Sequence, residues 1–277
     1  MLVDGTRRIV VAHLMSTPVH SGRRPAVFAH RGGCALGPEN TLAAFDLGLR
    51  AGADGLELDV HLSSDGVVVV CHDATLDRTT NATGPVAAWT AVDLARVDAG
   101  YRFTQGDAFP FRGQDIGVPT LRQVLQRFPE TPVIVEMKVD HPEMGRRLAA
   151  DVAAEGAAGR VCAAGEGSVS LRAARAALPE MASSASREEV RWSLYKSWAG
   201  CASGAVPFQR FQVPESTGLI RLVSPRFVRW AHREGLTVEV WTVDQAVDME
   251  RFLGWGVDGL ISNRPDLAVQ VRDRSRG

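Results

Sequence analysis

Hydrophobic residues in this chain form short runs, and these alternate with segments in which apolar positions recur every three or four residues. The first pattern is typical of buried strands and the second of amphipathic helices. The predicted strands are Ala26–His30, Gly55–Asp59, Val67–His72, Pro132–Lys138, Arg160–Ala163, Met181–Ser184, Phe208–Val213, Thr237–Thr242 and Gly259–Ser262. The predicted helices are Asn40–Ala51, Leu121–Phe128, Pro142–Glu155, Val169–Ala177, Ser186–Tyr195, Pro225–Glu234, Gln245–Gly254 and Pro265–Val271. Asn40 and Ser168 are candidate caps of two of these helices, and Ser224-Pro225 places proline at the first position of a third.

This alternation predicts βαβ units and a parallel sheet. About eight units over roughly 250 residues match the size of a (β/α)8 TIM barrel better than two separate domains. We therefore expect an α/β barrel over residues 26–272, preceded by an arm (1–25) and followed by a tail (273–277). Residues 74–118 are rich in Gly, Thr, Asp and Pro and have weak periodicity. They predict an insertion after the second βα region, long enough to shape a substrate pocket.

Composition narrows the class of protein. The 31 basic and 32 acidic residues are mixed along the chain, which predicts neither a nucleic-acid-binding patch nor a membrane-surface helix. The four cysteines lack CxxC or CxH spacing, which argues against a zinc site or a disulfide framework. Because the sequence has neither a secretory signal nor an apolar run long enough to span a bilayer, we expect a cytoplasmic protein without stable membrane insertion. Its oligomeric state is not indicated.

Two carboxylates follow each other at alternate positions of one predicted strand. Alternate side chains share a face, so Glu57 and Asp59 point the same way. Leu56, Leu58 and Val60 make the other face apolar, as expected of the outer face of a barrel strand that packs under helices. The carboxylates would then point inward, where they repel each other unless a cation or a proton intervenes. The pair predicts metal ligation, with a purely structural pair as the alternative.

A second alternate pair closes another apolar run. Glu136 is a candidate third oxygen ligand, and Lys138 is a candidate contact for a phosphate oxygen. The alternative is an ordinary Glu–Lys ion pair. Carboxylate oxygens favour one divalent cation, Mg²⁺ or Ca²⁺, over zinc.

Histidines stand at the ends of two predicted strands. His30 ends the first and His72 ends the third apolar run, so both can face one barrel mouth. Two imidazoles on opposite sides of a scissile P–O bond could act as general acid and general base. Arg31 follows His30, and its guanidinium suits a phosphodiester anion.

Three further residues are weaker candidates. Trp241 ends a predicted strand and could wall the pocket or contact a cationic head group, although core packing competes equally. His61 lies past the end of its strand and is predicted to be a rim residue. Asp73 either orients a neighbouring side chain or caps the following turn.

At these residues the chain resembles the glycerophosphodiester phosphodiesterase family. The matching motifs are HRG at His30–Gly32, PENT at Pro38–Thr41, ELDV at Glu57–Val60, HDATLDRTT at His72–Thr80, EMK at Glu136–Lys138, WTVD at Trp241–Asp244 and GVDGLISNRPD at Gly256–Asp266. The resemblance implies a TIM barrel, and it places the acid and base on His30 and His72. It also places the metal ligands on Glu57, Asp59 and Glu136, phosphate contacts on Arg31 and Lys138, and a pocket aromatic on Trp241. One departure is Asn263, where relatives often carry an acidic residue.

The implied activity is metal-dependent hydrolysis of small-molecule glycerophosphodiesters to sn-glycerol 3-phosphate and an alcohol. Two alternatives remain. The same barrel could hydrolyse lysophospholipids as a lysophospholipase D, with Phe103, Phe109 and Phe111 of the insertion supplying an apolar trough. It could instead be a non-catalytic barrel that binds a phosphorylated metabolite. The sequence decides neither the order of proton transfers nor whether water or the glycerol 2-hydroxyl attacks phosphorus.

Overall fold

A parallel β-barrel with helices on its outside occupies residues 24–275, the part of the chain that this computed structural model describes. Its strands are β1 (Ala26–His30), β2 (Gly55–Leu62), β3 (Val68–Val70), β4 (Val133–Met137), β5 (Val161–Ala164), β6 (Ala182–Ser183), β7 (Arg210–Pro214), β8 (Ser216–Thr217), β9 (Ile220–Arg221), β10 (Thr237–Trp241) and β11 (Gly259–Ser262). Its helices are α1 (Leu42–Arg50), α2 (Ala91–Leu94), α3 (Leu121–Arg127), α4 (Pro142–Ala154), α5 (Ser168–Ala177), α6 (Arg187–Ala199), α7 (Pro225–Arg233), α8 (Ala246–Gly254) and α9 (Pro265–Arg274).

The barrel strands pair in the order β6-β5-β4-β2-β1-β11-β10-β7. A parallel bridge between Ser184 and Arg210 joins the two ends of this order and closes the ring. Every pairing along the ring is parallel. The predicted TIM barrel is therefore confirmed, and β2 lies directly opposite β7.

One predicted strand does not belong to the barrel. β3 falls within the expected strand Val67–His72, but it pairs antiparallel with the end of β2, with Val60 opposite Val70. A parallel strand needs a crossover of a dozen or more residues, and the turn between β2 and β3 is far shorter. Because β3 runs back along β2, His72 does not end a barrel strand as predicted.

Two faces of the barrel wall have different surroundings. Leu56, Leu58 and Val60 are fully buried and pack with helix residues, including those of α3 and α4, as the alternation predicted. Inside the barrel, apolar packing is limited to a small cluster that includes Phe28 and Ile134. The inward positions of β2 are therefore free to carry polar side chains.

Helix starts follow local side-chain chemistry. Pro225 is the first residue of α7, as predicted, and the side chain of Ser224 caps this helix by accepting a hydrogen bond from a backbone N–H of the first turn. Ser168 is not the cap of α5, because it is the first helical residue and Gly167 occupies the cap position. The carboxylate of Asp140 instead accepts from the backbone N–H groups of Val169 and Ser170.

The segments outside the barrel differ partly from expectation. The insertion at 74–118 contains α2 and a 3₁₀ turn at Val86–Ala88, and it packs around its own apolar cluster, which includes Leu76 and Leu94. Helix α9 continues to Arg274, so the tail predicted from residue 273 begins inside a helix. The predicted arm lies outside the described residues except for its last two. Among residues 24–275, no helix has the length and apolar character needed to cross a bilayer.

Candidate active site

The carboxyl ends of the barrel strands surround a cavity of about 550 Å³. This is the end at which TIM-barrel enzymes place their active sites. Of the eight residues selected from the sequence, seven line the cavity, namely His30, Arg31, Glu57, His72, Glu136, Lys138 and Trp241. The eighth, Asp59, is completely buried against Arg31 and Lys138.

Three carboxylates from two adjacent strands form the floor of the site. Asp59 of β2 stands beside Glu136 of β4 in the parallel register. One oxygen from each of Glu57, Asp59 and Glu136 lies within 4.8 Å of the others. Burial and the negative charge of Asp59 raise the pKa of Glu57 well above its ordinary value, and they also raise the pKa of Glu136. Three acidic groups this close repel one another when ionised, and this repulsion favours binding of a positive charge among them.

Two positively charged side chains, Arg31 and Lys138, lie over this floor of carboxylates. Arg31 Nε is 3.2 Å from Asp59 Oδ2, and Lys138 Nζ is 3.3 Å from Asp59 Oδ1 and 3.0 Å from Glu136 Oε1. Burial alone would lower the pKa of Lys138, but the carboxylates of Asp59 and Glu136 raise it. The Glu136–Lys138 ion pair considered from the sequence is therefore present within the cluster.

The turn after β1 brings Arg31 to the floor. The backbone N–H of Arg31 donates to Glu57 Oε2 at 3.0 Å. Gly32 follows with φ of +87°, and a Cβ at this position would lie 2.8 Å from atoms of Ala44 and Phe45. Only glycine fits this close approach to α1 without displacing it.

Asn40 is a site residue that the sequence analysis assigned to another role. It was predicted to cap α1, but Thr41 is the cap. Asn40 is 3% exposed, adopts a left-handed φ of +59°, and donates through Nδ2 to Asp59 Oδ2 at 2.9 Å. Its Oδ1 accepts from the backbone N–H of Asp59 at 3.2 Å. Asn40 therefore fixes the orientation of the most deeply buried carboxylate, and Asn is among the few residues that tolerate this backbone conformation.

His30 is held by an amide. Its Nδ1 lies 2.6 Å from Asn263 Oδ1, and the Asn263 side chain in turn donates to Asp244 Oδ2 at 2.7 Å. That second bond orients the amide so that its oxygen faces the ring, which places the proton of a neutral His30 on Nδ1. Burial lowers the pKa of His30, so the neutral ring is favoured. Its Nε2 lies 3.8 Å from Glu57 Oε2 and faces the cavity floor.

His72 is held by a carboxylate. Its Nδ1 lies 2.6 Å from Asp73 Oδ1. Arg78 donates to Asp73 Oδ2 at 2.5 Å and to both oxygens of Glu39 at 2.7 Å, and its guanidinium lowers the pKa of Asp73 to about 2. Glu39 also accepts from Arg31. Ion pairs thus connect the two sides of the mouth, and Asp73 orients its neighbour rather than capping a turn.

The remaining candidates have distinct positions. His61 lies within β2 rather than past its end, and it is buried rather than exposed at the rim as predicted. Its Nε2 lies 3.1 Å from the backbone oxygen of His72. The insertion does not supply an apolar trough as considered, because Phe103 and Phe111 pack edge to face on each other and none of its three phenylalanines lines the cavity. Arg112 lies over the ring of Phe109.

Comparison with known proteins identifies relatives over nearly the whole barrel. The model of the glycerophosphoryl diester phosphodiesterase family matches residues 30–267. A glycerophosphodiester phosphodiesterase of Caldanaerobacter subterraneus subsp. tengcongensis is 31% identical over 88% of this chain and 96% of its own length. One from Bacillus subtilis is 29% identical over 88% of this chain and 85% of its own length.

Solved structures agree with these relatives. A glycerophosphodiester phosphodiesterase of Agrobacterium tumefaciens superimposes with a TM-score of 0.72 at 28% identity, and the match covers 89% of this chain and 99% of that one. An Oleispira antarctica phosphodiesterase solved in complex with sn-glycerol-3-phosphate has a TM-score of 0.72 at 24% identity, covers 90% of this chain and 97% of that one, and supports the fold alone. On the family match and the first relative, this chain belongs to the glycerophosphoryl diester phosphodiesterase family.

Proposed function

We propose that this protein hydrolyses glycerophosphodiesters to sn-glycerol 3-phosphate and an alcohol, with a divalent cation as cofactor. The observation that carries the proposal is the joint placement of two imidazoles, two cations and a three-carboxylate floor around one cavity. Each group matches a requirement of phosphodiester cleavage, namely proton transfer, anion binding and charge stabilisation. The relatives named above carry the same activity in their names.

The carboxylate floor fits a hard divalent cation such as Mg²⁺ or Ca²⁺. Glu57, Asp59 and Glu136 would hold it, since all their donor atoms are oxygens. Asp59 Oδ1 is fully buried without a hydrogen bond from residues 24–275, and the positive charge that now faces it is the Lys138 ammonium at 3.3 Å. When bound, the cation would supply Lewis-acid stabilisation of negative charge on the phosphate. Arg31 and Lys138 then contact the phosphate oxygens from the cavity wall.

His30 acts as the general base in the first step. Asn263 Oδ1 accepts a hydrogen bond from the Nδ1–H of His30. The unprotonated Nε2 of His30 then faces the cavity and can take a proton from the attacking hydroxyl. An oxygen–phosphorus bond forms as that proton leaves. The amide partner of His30 is uncharged, and burial favours the neutral ring that a base requires.

His72 acts as the general acid. The Asp73 carboxylate beside Nδ1 orients the ring, and its Nε2–H can protonate the departing alcohol oxygen as the P–O bond breaks. Arg78 holds Asp73 in place without contacting the ring itself. Trp241 walls the cavity near the end of β10 and contacts the substrate.

Leaving-group dependence tests this division of work. His30→Ala and His72→Ala should each lower the turnover of glycerophosphocholine by roughly 10²–10⁴-fold, as expected for an acid–base group. With a p-nitrophenyl ester of glycerol phosphate, the leaving group needs no protonation, so His72→Ala should recover most of its activity and His30→Ala should not. His141→Ala, on an exposed helix start away from the cavity, is the matched control. Recovery by His30→Ala instead would reverse the two roles, and near-normal turnover by both variants would refute the assignment.

Metal dependence is tested by release of glycerol 3-phosphate in EDTA and after adding back Mg²⁺ or Ca²⁺. We expect activity to be lost in EDTA and restored by at least one of the two ions. Unchanged turnover in EDTA would refute the role of the carboxylate floor. A protein that binds glycerophosphocholine with the ion present but never releases glycerol 3-phosphate would favour the non-catalytic barrel instead.

A further inference from the structure

Five of the nine exposed large apolar side chains in the described part of the chain lie on two elements at one side of the cavity mouth. Trp192, Tyr195 and Trp198 belong to α6, and Leu219 and Ile220 belong to the β8–β9 hairpin. We call these five residues the exposed apolar face. The two elements are neighbours, because Tyr195 and Trp198 line the same cavity as Ile220.

The three aromatic rings of α6 form one continuous surface. The ring centroids of Trp192 and Tyr195 lie 5.9 Å apart, and those of Tyr195 and Trp198 lie 5.8 Å apart. Residues that follow each other at intervals of three are neighbours on the surface of a helix, so the rings share one side of α6. Contiguous exposed apolar surface of this kind marks an interaction site.

A ligand inside the cavity does not account for the whole of the exposed apolar face. Trp192 and Leu219 are not part of the cavity lining, yet their side chains are 56% and 106% exposed. Leu219 follows Gly218, whose left-handed φ of +56° forms the turn of the hairpin, and its side chain extends from the surface of the protein. The partner of this face must therefore cover the rim outside the cavity.

The unpaired charges around the exposed apolar face are mainly positive. Arg191 and Lys196 of α6 and Arg226 of α7 have no acidic partner among residues 24–275. Arg226 lies directly against the face, since its guanidinium donates to the backbone oxygen of Trp198 at 2.7 Å. Glu188 is an exposed acidic residue nearby that also lacks an ion-pair partner in this part of the chain, so three basic groups are opposed by one acidic group. The face therefore complements an anionic surface.

The residue types of this face are those that proteins place at a bilayer surface. Tryptophan and tyrosine concentrate at the level of the lipid head groups, because an apolar ring with one polar N–H or O–H group suits that boundary. A protruding leucine can reach the acyl chains, while arginines beside it meet the lipid phosphates. A protein partner would need a matching pocket for Leu219, whereas a bilayer accepts this side chain without one.

We propose that the exposed apolar face docks this protein reversibly on a bilayer that contains anionic phospholipids. The three rings of α6 then lie at the head-group level, and Leu219 enters the acyl-chain region. Because Tyr195, Trp198 and Ile220 also line the cavity, docking turns the cavity mouth toward the lipid. The mixed charges of the sequence predicted no membrane-surface helix, and this face is formed by two elements rather than by one helix. The inference involves no chemical step and is independent of the proposed function.

Sedimentation of the full chain with lipid vesicles tests the proposal. One set of vesicles consists of phosphatidylcholine alone, and the other is an equal mixture of phosphatidylcholine and phosphatidylglycerol. We expect the partition coefficient to be at least about tenfold higher for the mixed vesicles and to fall as the salt concentration rises, because salt screens the attraction between basic side chains and anionic lipids. Absence of binding to either set, or equal binding to both, overturns the proposal.

Variants of exposed side chains connect vesicle binding to this face. Leu219→Glu should lower the partition coefficient for the mixed vesicles by about tenfold or more, and Trp192→Ala should lower it by roughly three- to tenfold, because each removes apolar surface that the lipid covers. Arg226→Gln should lower it by about fivefold and leave binding to phosphatidylcholine alone unchanged.

Val92→Glu is the matched control for the added charge. Val92 is 60% exposed on α2, within the insertion that follows β3, and β3 pairs with β2 on the side of the barrel opposite β7. Its substitution should leave vesicle binding unchanged. A loss in this control equal to that of Leu219→Glu, or unchanged binding in both Leu219→Glu and Trp192→Ala, contradicts the proposal.

A second copy of this chain is the competing occupant of the face. Size-exclusion chromatography with light scattering gives the mass of the protein without lipid. A dimer that Leu219→Glu converts to a monomer, together with absence of vesicle binding, would assign the face to a second copy and overturn lipid docking. Turnover of glycerophosphocholine without vesicles is measured separately, and Leu219→Glu and Trp192→Ala should retain it because neither residue lines the cavity. Absence of turnover in the wild type would count against the proposed function alone, since sedimentation decides the docking.

Discussion

Replacing Asn40 with glycine removes both hydrogen bonds that orient Asp59 while keeping a backbone that accepts a left-handed φ. The lost bonds are those of Asn40 Nδ2 to Asp59 Oδ2 at 2.9 Å and of the Asp59 N–H to Asn40 Oδ1 at 3.2 Å. Both residues are buried, and Arg31 Nε remains 3.2 Å from the same carboxylate oxygen. Removing one partner of a buried hydrogen bond costs about 1–3 kcal/mol, so we expect Asn40→Gly to lower the free energy of unfolding by about 2–3 kcal/mol.

Alanine at the same position separates hydrogen bonding from backbone strain. Asn40→Ala loses the same two bonds, but a Cβ at φ of +59° without a local hydrogen bond adds a cost of about 1 kcal/mol. The alanine variant should therefore be less stable than the glycine variant. Equal stability of the two would refute the strain argument.

Two measurements on these variants address different parts of the reasoning. Denaturant unfolding in EDTA gives the stability of the metal-free protein, and calorimetric titration with Mg²⁺ or Ca²⁺ gives metal affinity. Partners that orient a metal ligand typically change affinity by about 10–100-fold, which is the loss we expect for Asn40→Gly. A glycine variant with wild-type unfolding free energy and wild-type metal affinity would show that Asn40 does not position Asp59.

Three further outcomes follow from the structure. Asp73→Asn should lower kcat for glycerophosphocholine by roughly 10–100-fold, because it replaces the carboxylate that orients the His72 ring; a change in KM alone would contradict this. Glu57→Gln should raise the melting temperature in EDTA and weaken metal binding, because one of three mutually repelling carboxylates becomes neutral; a lowered melting temperature in EDTA would argue against that repulsion. Asp258 raises the pKa of His232, so the stability this pair contributes is present below about pH 6.5 and lost as the pH rises through the folded pKa. His232→Gln should accordingly cost roughly 1 kcal/mol or less at about pH 5.5 and almost nothing at about pH 8.5, and a larger cost at the higher pH would reverse the sign.

Positions on barrel strands were predictable because burial acts on alternate residues. Leu56 and Leu58 had to face the helices, so Glu57 and Asp59 had to face the barrel interior. The parallel order of the strands then placed Glu136 beside them. Sequence periodicity carries this information directly.

Contacts between distant loops were not predictable in the same way. Glu39 and Arg78 connect through side chains that are 39 positions apart, and no local pattern encodes that pairing. Asn40 was assigned to a cap because Asn is a common capping residue, although the adjacent Thr41 has the same ability. Its left-handed backbone conformation and its burial in the site depend on the tertiary structure.

Two errors came from signals that were present but outweighed. The run ending at His72 has the composition of a barrel strand, but its short connection to β2 allows only an antiparallel return. The phenylalanines of the insertion were considered as an apolar trough, yet Phe103 and Phe111 pack edge to face against each other. The exposed aromatic residues of α6, Trp192, Tyr195 and Trp198, share one side of the helix. Their spacing alone does not distinguish an exposed helix face from one that packs into the core.

The antiparallel return of β3 divides the proposed catalytic residues between two parts of the chain with different freedom to change. His30 and the carboxylates are attached to strands that pair in register within the closed ring, so an insertion within one of these strands would move its side chains to the other face. His72 is carried on a hairpin outside that ring, next to a loop region with its own apolar cluster. Changes in loop length there would shift the proposed acid relative to the proposed base and the carboxylate floor, which stay in place. Family members could thus adapt to differently sized alcohols by altering the rim while the barrel stays constant.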